Sequence, residues 1–275
     1  MRGKARKRQR LKDEIREYAS PLNSVQNIRV LFLGQINAGK SSFFNSVDSV
    51  FRGYVINQAS AGTDDRSVTR KYRIYQVKDG IHGKPLPIIF CDTMGLEEKD
   101  SACLKIDDVI NIFKGHIPDK YQFNSNEAMH PNAPGYIKSP SLKDQIHCLV
   151  FVIDASNVEI LPEKIERKLK EIRQKANELE LPQLVILTKV DKISSVVNEN
   201  ISHVYRSQTV KRKMYAASDK LGIPLSQIVP VINYYSETDL RDDVDVLILM
   251  AVRQIVRCAQ RYLENFSSDQ SPAVD

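Results

Sequence analysis

The chain has 275 residues, of which 42% are hydrophobic and 27% are charged, enough apolar material for one well-buried core. Its apolar runs are far shorter than the ~20 residues of a membrane-spanning helix, and its first residues are too basic for a secretory signal peptide. The four cysteines form no C-x-x-C pair, as is typical of reduced thiols, and we predict a cytoplasmic protein.

The basic excess is confined to the amino terminus. Residues 1–10 hold six Lys or Arg and no acid, and they account for the whole net charge of +6. We predict that residues 1–25 form a basic arm and a helix. One interpretation makes the arm an electrostatic tether to RNA or to an anionic membrane, and the other makes it the solvated start of the helix. The arm has no aromatic residue for base stacking, so the second interpretation is favoured.

A phosphate-binding loop follows the first strand. An apolar run at residues 30–33 (VLFL) precedes residues 34–41 (GQINAGKS), which have the spacing G-x-x-x-x-G-K-[ST] between a strand and a helix. The glycines let backbone N–H groups turn toward a polyphosphate, and a helix predicted over residues 42–50 adds its N-terminal dipole. Lys40 is placed to contact the β- and γ-phosphates, and Ser41 to bind Mg²⁺.

The next segment is a candidate switch loop. Residues 51–67 are rich in Gly, Ala, Ser and Asp and have no hydrophobic period. A threonine here would complete the Mg²⁺ shell. Thr63 lies within the loop, whereas Thr69 lies at the start of an edge strand predicted over residues 69–76. Both remain candidates, and we favour Thr69.

A second buried strand, at residues 87–91, ends in the sequence DTMG. A D-x-x-G motif at this place puts the Asp92 carboxylate near the water shell of Mg²⁺ and the Gly95 N–H where a γ-phosphate oxygen would lie. Loss of the γ-phosphate would release that contact, which is how such proteins convert hydrolysis into loop motion. Glu97 and Glu98 then read as the acidic first turn of a helix.

The base is indicated by a later strand end. A central strand at residues 146–154 and an amphipathic helix at residues 162–181 precede a buried strand at residues 183–187, which leads into TKVD. Asp191 can accept hydrogen bonds from the ring N–H and the exocyclic amino group of guanine, a pair that adenine lacks. Lys189 would lay its aliphatic stem along the base. The sequence therefore predicts guanine.

The remaining pattern defines the fold. A short strand at residues 228–232 and a closing helix at residues 239–264 complete an alternation of strands and helices over residues 26–265. This predicts an α/β fold, a mostly parallel sheet with helices on both faces. Residues 115–143 interrupt the pattern with four prolines and form an insert, and residues 266–275 are expected to be a disordered tail.

Four stretches carry a family resemblance: residues 39–47 (GKSSFFNSV), 91–96 (CDTMGL), 115–123 (GHIPDKYQF) and 139–144 (SPSLKD). They resemble the interferon-induced protein 44 family, within the TRAFAC class of GTPases. The last two stretches are not generic GTPase motifs, so they carry the specific part of the resemblance, which extends from about residue 18 to residue 265.

The resemblance implies a P-loop GTPase domain over residues 26–265, with a packed family-specific insert at about residues 115–143. It also implies a cytoplasmic guanine-nucleotide-binding protein that is induced in innate antiviral responses. Members often carry a further N-terminal domain, and we expect none within these 275 residues.

Three positions depart from the common GTPase pattern or refine it. Leu96 stands where many small GTPases have a Gln that orients the attacking water, which puts efficient hydrolysis in doubt. Asn37 matches an Asn that binds K⁺ in potassium-activated GTPases of this class, although an Asn tolerated in a turn is the alternative. Residues 231–236 (VINYYS) take the place of the S-A-K loop, where Asn233 could contact the guanine carbonyl and the tyrosines could shield the ring.

These motifs give a defined set of candidate site residues. The catalytic candidates are Lys40, Asn37 and Thr69, and the Mg²⁺ ligands are Ser41, Thr69 and Asp92. The predicted nucleotide-binding residues are Gly34, Asn37, Ala38, Gly39, Lys40, Ser41, Ser42, Asp92, Gly95, Thr188, Lys189, Asp191 and Asn233.

Two functions fit this set. One is a slow GTPase with Mg²⁺, GTP or GDP and, as a further hypothesis, K⁺ as cofactors. The other is a scaffold that is stabilised by GTP or GDP without hydrolysing it and that uses the basic arm as a tether. Protein partners are expected but not identified, and a homodimer through the nucleotide face is one possibility.

Overall fold

The computed structural model describes residues 2–56, 71–80, 83–98 and 104–268. Within them lies a six-stranded sheet with the strand order β2-β3-β1-β4-β5-β6. The strands are β1 (Ile28–Gly34), β2 (Arg73–Lys78), β3 (Pro85–Asp92), β4 (Cys148–Asp154), β5 (Gln183–Thr188) and β6 (Ile228–Pro230). All neighbours pair in parallel except β2, which is antiparallel to β3. The predicted fold class is therefore confirmed.

The central strands are covered on both faces. Every residue of β4 and of β5 is buried, although successive side chains point to opposite sides of a sheet. Their uninterrupted apolar sequences suit this environment. The helices are α1 (Arg2–Arg16), α2 (Lys40–Arg52), α3 (Ile106–Phe113), α4 (Glu163–Glu178), α5 (Ser195–Glu199), α6 (Gln208–Leu221) and α7 (Asp242–Ser268).

Helix α7 packs against both strands and helices. It packs against β1, β4 and β5 and also against α1 and α2, while α4 packs against α3 and α6. Within the described residues, no helix has the length and apolarity that crossing a bilayer requires. Helix α7 continues to Ser268, beyond the boundary predicted at residue 265.

Much of the basic amino-terminal segment is helical and docked. Leu11 and Ile15 of α1 are buried, and α1 packs along α7. Lys4 forms an ion pair with Asp243, and Arg8 contacts the same acidic first turn of α7. Arg6, like the segment's other outward-facing basic residues, is exposed. The segment thus divides into a face held by α7 and a face open to solvent.

The insert at residues 115–143 packs on the body of the domain. Tyr72, just before β2, donates its N–H to Tyr121 O at 2.8 Å and accepts from Lys120 N at 2.8 Å. Asp119 accepts a hydrogen bond from Ile74 N at 2.9 Å. The insert therefore runs along the outer edge of the start of β2, immediately after the region predicted as the switch loop.

The same insert also reaches α3. Met129 donates its N–H to Asp108 Oδ1 at 2.8 Å, and Asn111 donates to Met129 O at 2.8 Å. One expectation is wrong at this point: Glu97 and Glu98 are not in a helix, and α3 begins at Ile106. The acidic first turn of α3 is formed by Asp107 and Asp108 instead.

Candidate nucleotide-binding site

The phosphate loop has the conformation that its glycines permit. Gly39 lies in the left-handed region with φ 98°, directly before α2, and Asn37 has φ 60°. A Cβ at Gly39 would lie 3.1 Å from Asn233 Nδ2 and 3.3 Å from Thr188 Cγ2. The backbone angle therefore requires glycine, and a larger residue would also crowd Asn233 and Thr188. The first N–H groups of α2, which have no partner within the helix, lie at this loop.

Lys40 and Asp92 are two buried ionisable residues of opposite charge beside the loop. The side chain of Lys40 donates to Gly34 O and Gln35 O, each at 3.2 Å. Burial lowers the pKa of Lys40, and the negative charge of Asp92 opposes that shift. Burial also raises the pKa of Asp92 to about 6, although Lys40 acts in the opposite direction. Both groups are thus kept desolvated where a polyphosphate and a cation would meet.

The donor set at this place fits Mg²⁺. Asp92 Oδ1 is buried and has no hydrogen-bond partner among the residues that the structure describes. Carboxylate and hydroxyl oxygens suit Mg²⁺, which usually keeps several waters and binds substrate phosphates as well. Ser41, in the first turn of α2, is exposed and can supply the hydroxyl. The described residues contain no cluster of three or more His, Cys, Asp or Glu that could hold a metal.

The DTMG segment is bonded to the phosphate loop. Leu96 donates its N–H to Gly34 O at 2.9 Å and accepts from Ile36 N at 3.4 Å. A Cβ at Gly95 would lie 2.6 Å from Ile36 Cγ1, so only glycine fits between the two segments. Leu96 itself is 2% exposed. Packing in the core is therefore sufficient to explain an apolar residue at position 96.

The TKVD segment contacts the phosphate loop from the other side. Thr188 is fully buried, and its hydroxyl donates to Ala38 O at 2.6 Å and lies 3.2 Å from Ile153 O. Lys189 donates to Asn37 O at 2.8 Å. Thr188 thus joins the loop to the sheet. Asp191 is half-buried in the turn that follows β5.

Asp154 is a site residue that the motif analysis missed. Its Oδ2 lies 2.6 Å from Lys189 Nζ, and its Oδ1 accepts a hydrogen bond from Ser156 N at 2.8 Å. The position of Lys189 is therefore fixed by a carboxylate at the end of the neighbouring strand. The sequence could have predicted this residue, because β4 ends in an aspartate and the carboxyl ends of parallel strands lie at the same edge of a sheet.

The two tyrosines after Asn233 have different environments. Asn233 donates to Gly39 O at 3.2 Å, and its Oδ1 is buried without a partner in the described structure. Tyr234 is 6% exposed, so the idea that it shields a base is wrong. Tyr235 is 84% exposed, and Lys192 Nζ lies 5.8 Å from its ring centroid. Only Tyr235 of this pair is free to cover a ring.

The structure thus gathers most of the predicted residues at the carboxyl ends of β1, β3 and β5 and after β6. Gly34, Asn37, Ala38, Gly39, Lys40, Thr188, Lys189 and Asn233 are joined by direct hydrogen bonds or close packing. Thr69, the alternative Thr63 and most of the predicted switch loop lie outside the described residues.

Comparison with known proteins agrees with this geometry. Residues 29–189 match the family described as "50S ribosome-binding GTPase". Human interferon-induced protein 44-like is 42% identical over 268 residues, 98% of this chain and 59% of that protein. Human interferon-induced protein 44 is 42% identical over 263 residues, 96% of this chain and 59% of that protein. The mouse protein of that name is 41% identical over 251 residues, 91% of this chain and 59% of that protein.

The predicted resemblance to the interferon-induced protein 44 family is confirmed by these identities. The chain spans about three-fifths of the length of these relatives. A solved structure described as a probable GTP-binding protein engB is 17% identical, with a TM-score of 0.48, over 85% of this chain and 99% of that one.

Proposed function

The chain belongs to the GTPase family matched by residues 29–189, and on that premise we propose that it is a slow Mg²⁺-dependent GTPase acting in an interferon-induced antiviral response. The observation that carries the proposal is the buried Asp92 Oδ1, which lies beside Lys40 and the phosphate loop and has no hydrogen-bond partner in the described part of the chain. Such an arrangement is costly unless a ligand repays it. The interferon-induced role is inferred from the names of the relatives, and antiviral action in the cytoplasm from the family resemblance alone.

The chain's own residues would divide the work in a defined way. Lys40 would exchange its two carbonyl partners for phosphate oxygens, and Asp92 and Ser41 would hold Mg²⁺. When bound, Mg²⁺ neutralises part of the phosphate charge. Asp191 would accept the two guanine N–H groups, with Lys189 held against the base by Asp154. Gly95 would contact the γ-phosphate after DTMG moves off the phosphate loop.

Slow turnover is supported by Leu96. Its buried apolar side chain cannot orient water, and its backbone holds DTMG against the phosphate loop. Asn37 is exposed on the loop and stays the candidate for a K⁺ ligand that would supply positive charge. Thr69 stays the favoured switch threonine by its place in the sequence.

A second function, a GTP- or GDP-stabilised scaffold without hydrolysis, is favoured by the same Leu96 bonds. In that case the nucleotide would order the loops for an unidentified protein partner, or for a second copy through the nucleotide face. The tether role of the arm would fall to its outward-facing basic residues, since Lys4 and Arg8 are engaged by α7.

Single-turnover hydrolysis separates the two functions. Protein in excess is mixed with GTP and Mg²⁺ in KCl and, separately, in NaCl, and phosphate release is followed. Release above the buffer control that disappears in Lys40→Ala supports the enzyme, and loss of the KCl advantage in Asn37→Ala supports the K⁺ site. GTP that stays bound and intact for hours contradicts hydrolysis and leaves the scaffold.

A further inference from the structure

The loop at residues 231–235, here named the base-side loop, is anchored through Tyr234. The backbone N–H of Tyr234 donates to Ser46 Oγ at 2.9 Å, which ties the loop to the helix that follows the phosphate loop. Its hydroxyl donates to Asp245 Oδ1 at 2.6 Å and accepts from Arg241 N at 2.7 Å. Asn233, one residue earlier, contacts Gly39.

Asp245 receives its positive partner from a remote part of the chain. Its side chain is fully buried, and Arg8 Nη1 of helix α1 lies 3.2 Å from Asp245 Oδ2 and 2.8 Å from Asp242 Oδ1. A buried carboxylate is stable only with such a partner or with donors that satisfy it. Displacing α1 would leave Asp245 with less compensation and would weaken the group that holds Tyr234.

Arg8, Asp245 and Tyr234 therefore form a continuous chain from the amino-terminal helix to the base-side loop. We propose that Arg8 is a positioning residue for this loop, acting through Asp245 and Tyr234, so that docked α1 stabilises bound guanine nucleotide and thereby slows its dissociation. The proposal rests on the proposed nucleotide binding and adds a regulatory element to it. A partner that displaced α1 would accelerate nucleotide release.

A second contact of α1 acts in the same direction. Lys12 donates to Val50 O at 2.9 Å, near the end of α2, and its ammonium lies 5.3 Å from the ring centroid of Phe51. Helix α1 therefore contacts α2 directly and reaches the base-side loop through Asp245 of α7. The contacts of Lys4 are weaker, because its partner Asp243 meets the exposed side chain of Arg241 at 3.3 Å, whereas Tyr234 is bonded to the Arg241 backbone.

Lys4 thus provides a matched control on the same helix. The dissociation rate of a fluorescent GDP is measured after mixing with excess GDP, for the whole chain and for its variants. We expect Arg8→Ala to release GDP about tenfold faster, within the usual range of coupling between sites. Lys4→Ala is expected to change the rate by less than about twofold, since an ion pair made by a half-exposed lysine contributes little.

Two further variants test the route. Tyr234→Phe is expected to accelerate release like Arg8→Ala, and the double variant no more than the faster single one, because both act through one chain. Arg8→Lys keeps the charge and is expected to restore part of the slow rate. Equal rates for Arg8→Ala and Lys4→Ala would overturn the proposal, even if both variants melt at a lower temperature.

Reciprocity supplies a test without substitutions. If α1 stabilises bound GDP, then GDP must stabilise docked α1 by the same factor. We expect GDP to slow hydrogen exchange of the amides around Leu11 and Ile15. Unchanged exchange in a protein saturated with GDP would contradict the link alone, whereas a chain that binds no GDP would contradict the proposed function itself.

Discussion

The phosphate side and the base side of the site are held together by different means. On the phosphate side, Lys40 bonds to Gly34 and Gln35, and the loop is set by the glycine at position 39. On the base side, Lys189 is positioned by Asp154 and Tyr234 by Asp245, each a side chain from another element. The residues proposed to bind phosphate are therefore nearly adjacent in the chain, whereas those proposed to recognise the base are positioned by side chains from other elements.

The largest expected effect lies on the phosphate side. Lys40→Ala removes a buried ammonium that would face the β- and γ-phosphates, and we expect a loss of about 2–5 kcal/mol in the binding of both GDP and GTP. Isothermal titration measures it, with the melting temperature as the control for folding. Wild-type affinity in this variant would show that the phosphate loop does not hold the nucleotide.

Asp92→Asn is expected to change stability and Mg²⁺-dependent nucleotide binding in opposite directions. Because the pKa of Asp92 is raised to about 6, the native ligand-free protein binds a proton more tightly than the unfolded chain does between about pH 4 and 6. Ionisation of Asp92 therefore lowers the free energy of unfolding of the wild type as pH rises through that window. Above about pH 6 the full destabilisation is present. We expect Asp92→Asn to be more stable by up to about 3 kcal/mol at pH 7.5, and much less so at pH 4.

The same variant should lose the effect of Mg²⁺ on nucleotide affinity. Urea unfolding at the two pH values measures the stability, and titration of GDP with and without Mg²⁺ measures the binding. A variant that is less stable than the wild type at pH 7.5 would contradict the account of Asp92 as a desolvated carboxylate reserved for a cation.

Leu96 follows DTMG directly and bonds that segment to the phosphate loop. Replacing it with Gln buries an amide at a position that is 2% exposed, so we expect a loss of about 1–3 kcal/mol in unfolding free energy and no faster GTP hydrolysis. Leu96→Met is the control, with an expected loss below about 1.5 kcal/mol. Faster hydrolysis at unchanged stability would mean that this side chain faces the γ-phosphate.

The smallest expected effect lies on the base side. Asp154→Ala leaves Lys189 without its carboxylate, and we expect GDP to bind about tenfold more weakly, or about 1.4 kcal/mol. Binding of inorganic pyrophosphate, which has no base, should change less than twofold. An equal loss for both ligands would show that the two sides are not separable.

The extent to which the sequence could predict this structure follows the same division. The strands and the phosphate loop are local: residues 30–33 bury an apolar run, and GQINAGKS has a spacing that few other structures use. The pairing of Lys189 with Asp154 joins residues 35 apart, and that of Arg8 with Asp245 joins residues 237 apart. No local period encodes such contacts, because they depend on how whole elements pack.

The tyrosines and the insert illustrate the same limit. Tyr234 and Tyr235 are adjacent and chemically identical, yet one is buried on Asp245 and the other faces solvent. The hydrogen bonds of Tyr72 to Lys120 and Tyr121 could not be foreseen either, because the proline-rich insert has no strand pattern. Composition indicated an irregular segment but not the edge on which it lies.

The central claim, that this site selects guanine through Asp191, is tested most directly by changing its hydrogen-bonding character. Titration compares GDP with xanthosine diphosphate, in which a carbonyl replaces the amino group, for the wild type and for Asp191→Asn. We predict that the wild type prefers GDP and that the variant reverses the preference, because an amide can donate to the added carbonyl while the carboxylate cannot. Equal affinities for the two ligands in both proteins would contradict the account.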